Sequence, residues 1–243
     1  MTDLMLSFED RLDEIATYLD LLDSLEEQVQ IGPPRLAAGP VITAKQQQIL
    51  YASVYLQLYN LVESTITQCM DALSSAVTEG NSWLPSDLSD ELRREWVRHV
   101  ARTHVADLNV ENRLRSALLL CEHLVQSLPI SVFKIDKGGG GNWDDQEIET
   151  LGSRLGLNLT ITRHTRTRVK RFIHNNQGSL TYIKELRNSL AHGSISFAEC
   201  GAGRTARELR DLTDTTSEYL KEVVVSFEQA IATHAFLVAT RRP

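Results

Sequence analysis

The sequence predicts a mainly all-α protein, folded as an up-and-down helical bundle, and three observations carry that expectation. Apolar residues recur at helical spacing over five or more stretches of the chain. The breaks between those stretches are mostly short and hold Gly, Pro, Ser or Asn. Only two brief segments, 130–135 and 157–162, read as short strands.

Phe8, Leu12, Ile15, Leu19 and Leu22 alternate at spacings of four and three, the seam of an amphipathic helix from about Ser7 to Gln30. Gly32-Pro33-Pro34 stops it, since neither proline can extend the hydrogen-bond ladder. A longer helix is expected from Ala44 to Val77. Its wide apolar arc includes Tyr51, Tyr55 and Tyr59, read as core residues whose hydroxyls reach polar partners. Gly80-Asn81-Ser82 closes it. Ser86 or Ser89 then caps a helix over Asp90–His104. Val110–Ser127 follows as a helix with Leu114, Leu118, Cys121 and Leu124/Val125 expected to face inward.

After Pro129 come the first strand-like segment, a glycine-rich turn from Lys137 to Trp143, a helix over Asp144–Leu155 ending at Gly156, and the second strand-like segment. The expectation is one domain over residues 1–243 with an insertion at 130–162. Gly178–His192 is a further helix, Gly193–Phe197 an exit loop, and Thr213–Leu237 a long C-terminal helix.

The 243 residues carry a net charge of −7, which argues against a protein that coats nucleic acid over its whole surface. The charge is uneven, however. The first helix is acidic, whereas Arg163-His164-Thr165-Arg166-Thr167-Arg168-Val169-Lys170-Arg171 contains no acid. Three scattered cysteines do not make a disulfide framework and suit a reducing compartment. There is no secretory leader pattern and no apolar run of membrane-spanning length, so the expected location is cytoplasmic.

Several chemistries lack their residues. The glycines at 138–141 have no Gly-Lys-Ser/Thr ending to hold phosphate. His99 and His104, or Cys121 and His123, are spaced so that they leave a helix on different sides, and no zinc motif is present. No nucleophile-elbow serine occurs. No metal and no cofactor are expected.

The segment Leu186-Arg187-Asn188-Ser189-Leu190-Ala191-His192-Gly193 stands apart. On a helical wheel with about 100° per residue, Arg187 falls within the stripe formed by Leu180, Ile183, Leu186 and Leu190. A guanidinium there must reach out, find an anion or open onto a cleft. His192 stands at the helix end, before a glycine suited to the left-handed position. In an ideal helix Arg187 and His192 are about 140° and about 7.5 Å apart. They meet at one small substrate only if the last turn unwinds or if two copies of the helix face each other.

An arginine followed by a polar residue, three more residues and a histidine, near the end of a helix in a small bundle, resembles the HEPN superfamily (higher eukaryotes and prokaryotes nucleotide-binding). Arg187, Asn188 and His192 fit its signature, and the acidic first helix and tyrosine-rich second helix resemble its toxin or defence branch. The resemblance implies a HEPN-like bundle and metal-independent RNA cleavage at a homodimer interface by attack of the 2′-hydroxyl on the adjacent phosphate. It implies His192 as general acid/base, Arg187 as phosphate stabiliser and Asn188 as an orienting partner. Glu63, at the edge of the second helix's apolar arc, is a candidate for holding Arg187 or His192. Arg163, Arg166, Arg168, Lys170 and Arg171 are candidates for guiding an RNA backbone. An antitoxin or second HEPN-type protein is a further partner such a family member implies, and a catalytically inactive adaptor is the rival reading. The tyrosine that partner nucleotidyltransferases modify in some HEPN toxins is missing from Gly193–Phe197, so that control is not expected here.

Overall fold

The computed structural model describes residues 2–35, 39–79, 82–103, 105–138 and 142–243. Among them the chain is all-α, with nine α-helices and no sheet. They are α1 (Asp3–Val29), α2 (Ala44–Thr78), α3 (Asp90–Ala101), α4 (Val110–Val125), α5 (Asp145–Arg154), α6 (Arg163–Lys170), α7 (Ser179–Ala191), α8 (Phe197–Gly201) and α9 (Ala206–Ala232). Residues divide between two compact units. The first comprises 1–65, 142–145 and 161–222, the second 66–141, 146–160 and 223–243.

The first unit begins at Thr2, whose hydroxyl caps α1 by accepting the Met5 N–H. Phe8, Ile15, Leu19, Leu22 and Leu25 are buried along the seam of α1. At the start of α2, Thr43 and Gln46 cap each other reciprocally: the Thr43 hydroxyl accepts the Gln46 N–H, and the Gln46 carbonyl accepts the Thr43 N–H at 2.8 Å. Tyr51, Tyr55 and Tyr59 are all buried, as core packing requires, and their hydroxyls find partners. Tyr51 donates to Glu26 at 2.8 Å, and the same carboxylate oxygen accepts the Ala206 N–H at 2.6 Å. Glu26 thereby joins α1, α2 and the start of α9. At the end of α8, Gly201 lies against the backbone of α2. A Cβ there would stand 1.9 Å from the Gln48 carbonyl oxygen, so only glycine fits.

In the second unit, Ser89 rather than Ser86 caps α3, accepting the Leu92 N–H at 3.3 Å. Leu92 and Trp96 of α3 are buried, and α3 is the element against which α4 packs. The Ser89 N–H donates to the Phe236 carbonyl, and the Val238 N–H to that of Asp87, forming an isolated bridge that ties the C-terminal segment to the start of α3.

Several sequence-based boundaries shift. α1 begins at Asp3, α3 ends at Ala101 before a left-handed Arg102, and α9 runs from Ala206 to Ala232 rather than from Thr213 to Leu237. The exit loop is shorter than expected, because Ser196 and Glu199 form a capping box that starts α8 at Phe197. Gly80, Asn81, His104 and Gly139–Gly141 lie outside the described residues. Trp143, at the end of the expected glycine-rich turn, is buried.

Neither expected strand forms. Both segments lack regular secondary structure, and each satisfies backbone donors on side chains or on single carbonyls instead of a neighbouring strand. In the second unit the Ile135 N–H donates to Ser74 Oγ, the Ile130 N–H to the Trp83 carbonyl and the Thr160 N–H to Ser226 Oγ. Ile130, Phe133 and Ile135 are buried, which accounts for the apolar character that suggested strands.

The inward face expected for α4 is also wrong. Leu114, Leu118, Cys121, Leu124 and Val125 are exposed, and Ser116 is the buried residue of this helix.

Candidate active site

The site lies in the first unit and is organised by α7. Gly178 precedes the helix at a close approach to α6, where a Cβ would meet the Val169 carbonyl oxygen at 2.6 Å. Leu180, Tyr182, Ile183 and Leu190 are buried and fix the rotation of the helix. Tyr182 meets Tyr55 of α2 edge-on at 5.8 Å between ring centroids.

That rotation carries Arg187 onto α2. Its guanidinium carbon lies 4.2 Å from the centroid of the Tyr59 ring, a cation–π contact. One guanidinium nitrogen is 3.6 Å from Glu63 Oε2, and another donates to Asn188 Oδ1 at 2.8 Å. Tyr59 and Glu63 are four residues apart and so share one face of α2. The Arg187 side chain remains 31% exposed, so the guanidinium is held from beneath and still reaches solvent.

Three further groups complete this neighbourhood. The Tyr59 hydroxyl accepts the Trp143 N–H at 3.3 Å. Burial pushes the Tyr59 hydroxyl above its ordinary value, while the Trp143 N–H and the Arg187 charge pull the other way. One turn before Arg187, Lys184 forms an ion pair with the buried Asp144. Asp144 and Asp145 stand at the start of α5, as helix-start acids should, but they also pair with lysines, Asp145 with Lys170 at 3.9 Å.

His192 caps α7. Its backbone remains helical (φ −89°, ψ −1°), and its N–H donates to the Asn188 carbonyl at 2.9 Å. The last turn is therefore wound. Beyond it the chain closes in a Schellman motif: Ser194 N–H bonds to the Ser189 carbonyl, Gly193 N–H to that of Leu190, and Gly193 takes φ +69°. The imidazole is exposed on a fixed backbone. No hydrogen bond or ion pair joins its ring to Arg187 or Glu63 among the described residues.

The basic stretch forms a helix, α6, that apolar periodicity does not predict. Thr162 caps it, accepting the Thr165 N–H at 3.2 Å. Glu222 accepts from the Thr162 N–H, the Thr162 hydroxyl and the Thr165 hydroxyl at 2.7–2.9 Å, pinning the helix start to α9. Val169 and Thr165 face inward, leaving Arg163, Arg166, Lys170 and Arg171 exposed. Arg168 instead bonds Glu218 at 2.7 Å. Arg166, Arg168, Lys170 and Arg171, with the 68%-exposed Phe172, line an open groove of about 840 Å³. A second cavity of about 470 Å³ shares Arg168, Arg171 and Phe172 and reaches Tyr182 of α7.

The structure thus brings Glu63, Arg187 and Asn188 together and places His192 at the end of the same helix. The α6 cations lie on the side of α7 where that helix begins. Tyr59, Lys184 and Asp144 were not expected from sequence. The spacing of four between Tyr59 and Glu63, and of three between Lys184 and Arg187, was the available signal. Among the described residues no group of three or more His, Cys, Asp or Glu side chains is arranged to hold a metal ion, and no helix is long and apolar enough to cross a membrane.

No curated protein and no solved structure matches the chain. A protein-family model does: HEPN_MAE_28990-like HEPN matches residues 1–236, nearly the whole sequence. That span takes in α1 through α9 and every residue of the arginine–histidine segment. With an all-α fold and an Arg-Asn-x3-His end to α7, the chain belongs to the HEPN superfamily, whose domains are often ribonucleases.

Proposed function

We propose that this protein is a metal-independent endoribonuclease of the HEPN type. The observation that carries the reading is the pairing on α7 of a solvent-reaching Arg187, held by Tyr59, Glu63 and Asn188, with an exposed His192 on a backbone fixed by the Schellman turn. Arginine supplies a planar, permanently charged fork for phosphate oxygens. Histidine exchanges a proton near neutral pH.

In the proposed reaction the ribose 2′-oxygen attacks the adjacent phosphorus. The new P–O2′ bond forms as the P–O5′ bond breaks. One histidine takes the 2′-hydroxyl proton and a second delivers a proton to the departing 5′-oxygen. The products are a 2′,3′-cyclic phosphate and a 5′-hydroxyl. Arg187 stabilises the charge gathered on the non-bridging oxygens.

Because α7 stays helical to its end, one chain offers one histidine on a different side from Arg187. Two copies facing each other supply two of each, so the homodimer is the catalytic unit in this reading. RNA enters along the groove of α6, where four cations lie beside the exposed ring of Phe172, a surface suited to single strands. A toxin or anti-phage defence role, with an antitoxin or second HEPN-type partner restraining it, follows from the same reading.

One observation favours a second reading. Arg187 is engaged by an acid, an amide and a ring, as a structural arginine would be, which suits a HEPN adaptor without nuclease activity. Purified protein incubated with single-stranded RNA and excess chelator decides between them. The nuclease cleaves to cyclic-phosphate ends, and both Arg187→Ala and His192→Ala abolish the cleavage while the dimer persists. Equal behaviour of wild type and both variants establishes the adaptor.

A further inference from the structure

We infer that the outer face of α4 is a self-association surface, on which a second copy of this chain lays its own α4 in the antiparallel sense. This inference stands independently of the proposed nuclease, since α4 belongs to the second unit and the arginine–histidine site to the first.

The inner face of α4 is settled. Ser116 is buried, and Asn112, Leu120 and His123 are half-buried. The His123 ring meets Trp96 of α3 edge-on at 5.4 Å. The Arg113 guanidinium holds the helix start by donating to the Leu108 and Ala106 carbonyls at 2.8 and 3.2 Å. The opposite face is apolar and open to water. Leu114, Leu118, Cys121 and Val125 follow one another at spacings of four, three and four, the seam of a two-stranded coiled coil. Leu118 is 61% exposed and Val125 83%. A stripe of this kind on an isolated surface marks an interaction site.

Charge selects the occupant. Arg115 directly follows Leu114, and Glu122 directly follows Cys121, so both flank the seam on the same edge. Both are exposed, and no salt bridge engages either among the described residues. In a parallel pair each edge of the seam meets the opposite edge of the partner, so Arg115 would lie beside Val110 and Glu122 beside Ala117, and neither would find an opposite charge. In an antiparallel pair related by a two-fold axis, like edges meet and their order reverses. Arg115 of each copy then meets Glu122 of the other, twice. The same operation sets Leu118 against Cys121 and Leu114 against Val125 along the seam, and Ala117 beside Leu124 on the far edge. Every large apolar residue of the stripe gains an apolar neighbour, and the surface complements itself as a two-fold interface must.

Sedimentation of the full-length chain tests this. Wild type is expected to sediment as an assembly whose mass Leu118→Asp halves. Because position 118 is exposed, the variant should retain its helical circular dichroism. Arg115→Glu and Glu122→Arg should each weaken association by about tenfold or more, since each places like charges together, and the double variant R115E/E122R should recover most of it. Should Leu118→Asp fail to fold, the three charge variants decide alone. A monomeric wild type, a mass unaffected by Leu118→Asp, or a double variant no tighter than the single ones would each overturn the antiparallel pairing. RNA cleavage is read separately through Arg187→Ala and His192→Ala, so the nuclease reading and this one fail by different measurements.

Discussion

Tyr59 belongs to the core by burial and to the site by contact, and its two ends can be separated by mutation. The ring supports the Arg187 guanidinium, and the hydroxyl accepts the Trp143 N–H. Tyr59→Phe keeps the ring and should retain most RNA cleavage. Tyr59→Leu removes the cation–π support, worth about 0.5–2 kcal/mol, and should lower cleavage and thermal stability together; a side-by-side assay of the two variants checks this. For His192→Ala, a loss of about 10²–10⁴ in rate is expected from general acid–base catalysis, with no change in melting temperature, since the side chain is exposed. Alkaline pH reports on other residues. Burial, aided by the charge of Glu228, pushes the Cys69 thiol up to about 12 from its ordinary 9.0. Burial also raises Tyr51, Tyr55 and Tyr182 above 10.0. The folded chain therefore keeps protons that the unfolded chain releases. The stability these groups contribute should be fully present below about pH 8 and be lost as pH rises from about 9 toward 12, which denaturant melts at pH about 8 and about 10.5 will show.

Among the elements, α7 and α8 depend on single glycines. Gly193 sits at φ +69° with nothing within 4 Å of where a Cβ would project, so Gly193→Ala introduces backbone strain alone. The expected cost is about 1–2 kcal/mol, measurable by chemical denaturation, and Gly193→Asn should cost less because asparagine tolerates the left-handed region. Gly201→Ala differs in kind. It forces a side chain into the Gln48 carbonyl and should displace α8 from α2, lowering stability more than Gly193→Ala does.

Helices were legible where periodicity and end signals agreed. α2 and α7 match their expected ends within a residue or two, because Thr43 and Gln46 begin one and Gly193 closes the other. α4 was legible as a helix and misread in orientation. Periodicity shows that one stripe is apolar without showing what covers it, and the side chains turned inward are Ser116, which is buried, and His123, which meets Trp96 of α3. The two strand-like segments misled for a related reason. Their buried side chains look like those of a strand, while a strand is defined by a neighbour that the rest of the chain does not supply. α6 was missed because eight residues rich in arginine and threonine carry little apolar signal beyond Val169.

Across the whole molecule, the family match and the helical fold agree with what the short motif implied, and the site was legible only along the chain. Arg187, Asn188 and His192 lie in one helix, so sequence could relate them. Tyr59, Lys184 and Asp144 could not be related in that way, because their proximity is a product of tertiary packing. The acidic net charge conceals a basic helix, and this bears on binding. Replacing Arg163, Arg166 and Arg171 by glutamine should weaken single-stranded RNA binding and make its salt dependence shallower by up to about 2 in log–log slope, at roughly 0.7 for each phosphate no longer neutralised. An unchanged slope would show that RNA does not use α6.

The Glu26 carboxylate sets a timetable for the first unit. It accepts from Ala206, 180 positions later in the chain. At synthesis rates of about 5–20 residues per second, α1 emerges roughly 9–36 s before the start of α9 that it must join. Through that interval α1 and α2 have each other but lack α7 and α9, and Arg187 has not yet been made when Tyr59 and Glu63 appear. The nascent chain is thus vulnerable to aggregation early and acquires its arginine–histidine site late, after most of its own message has been read.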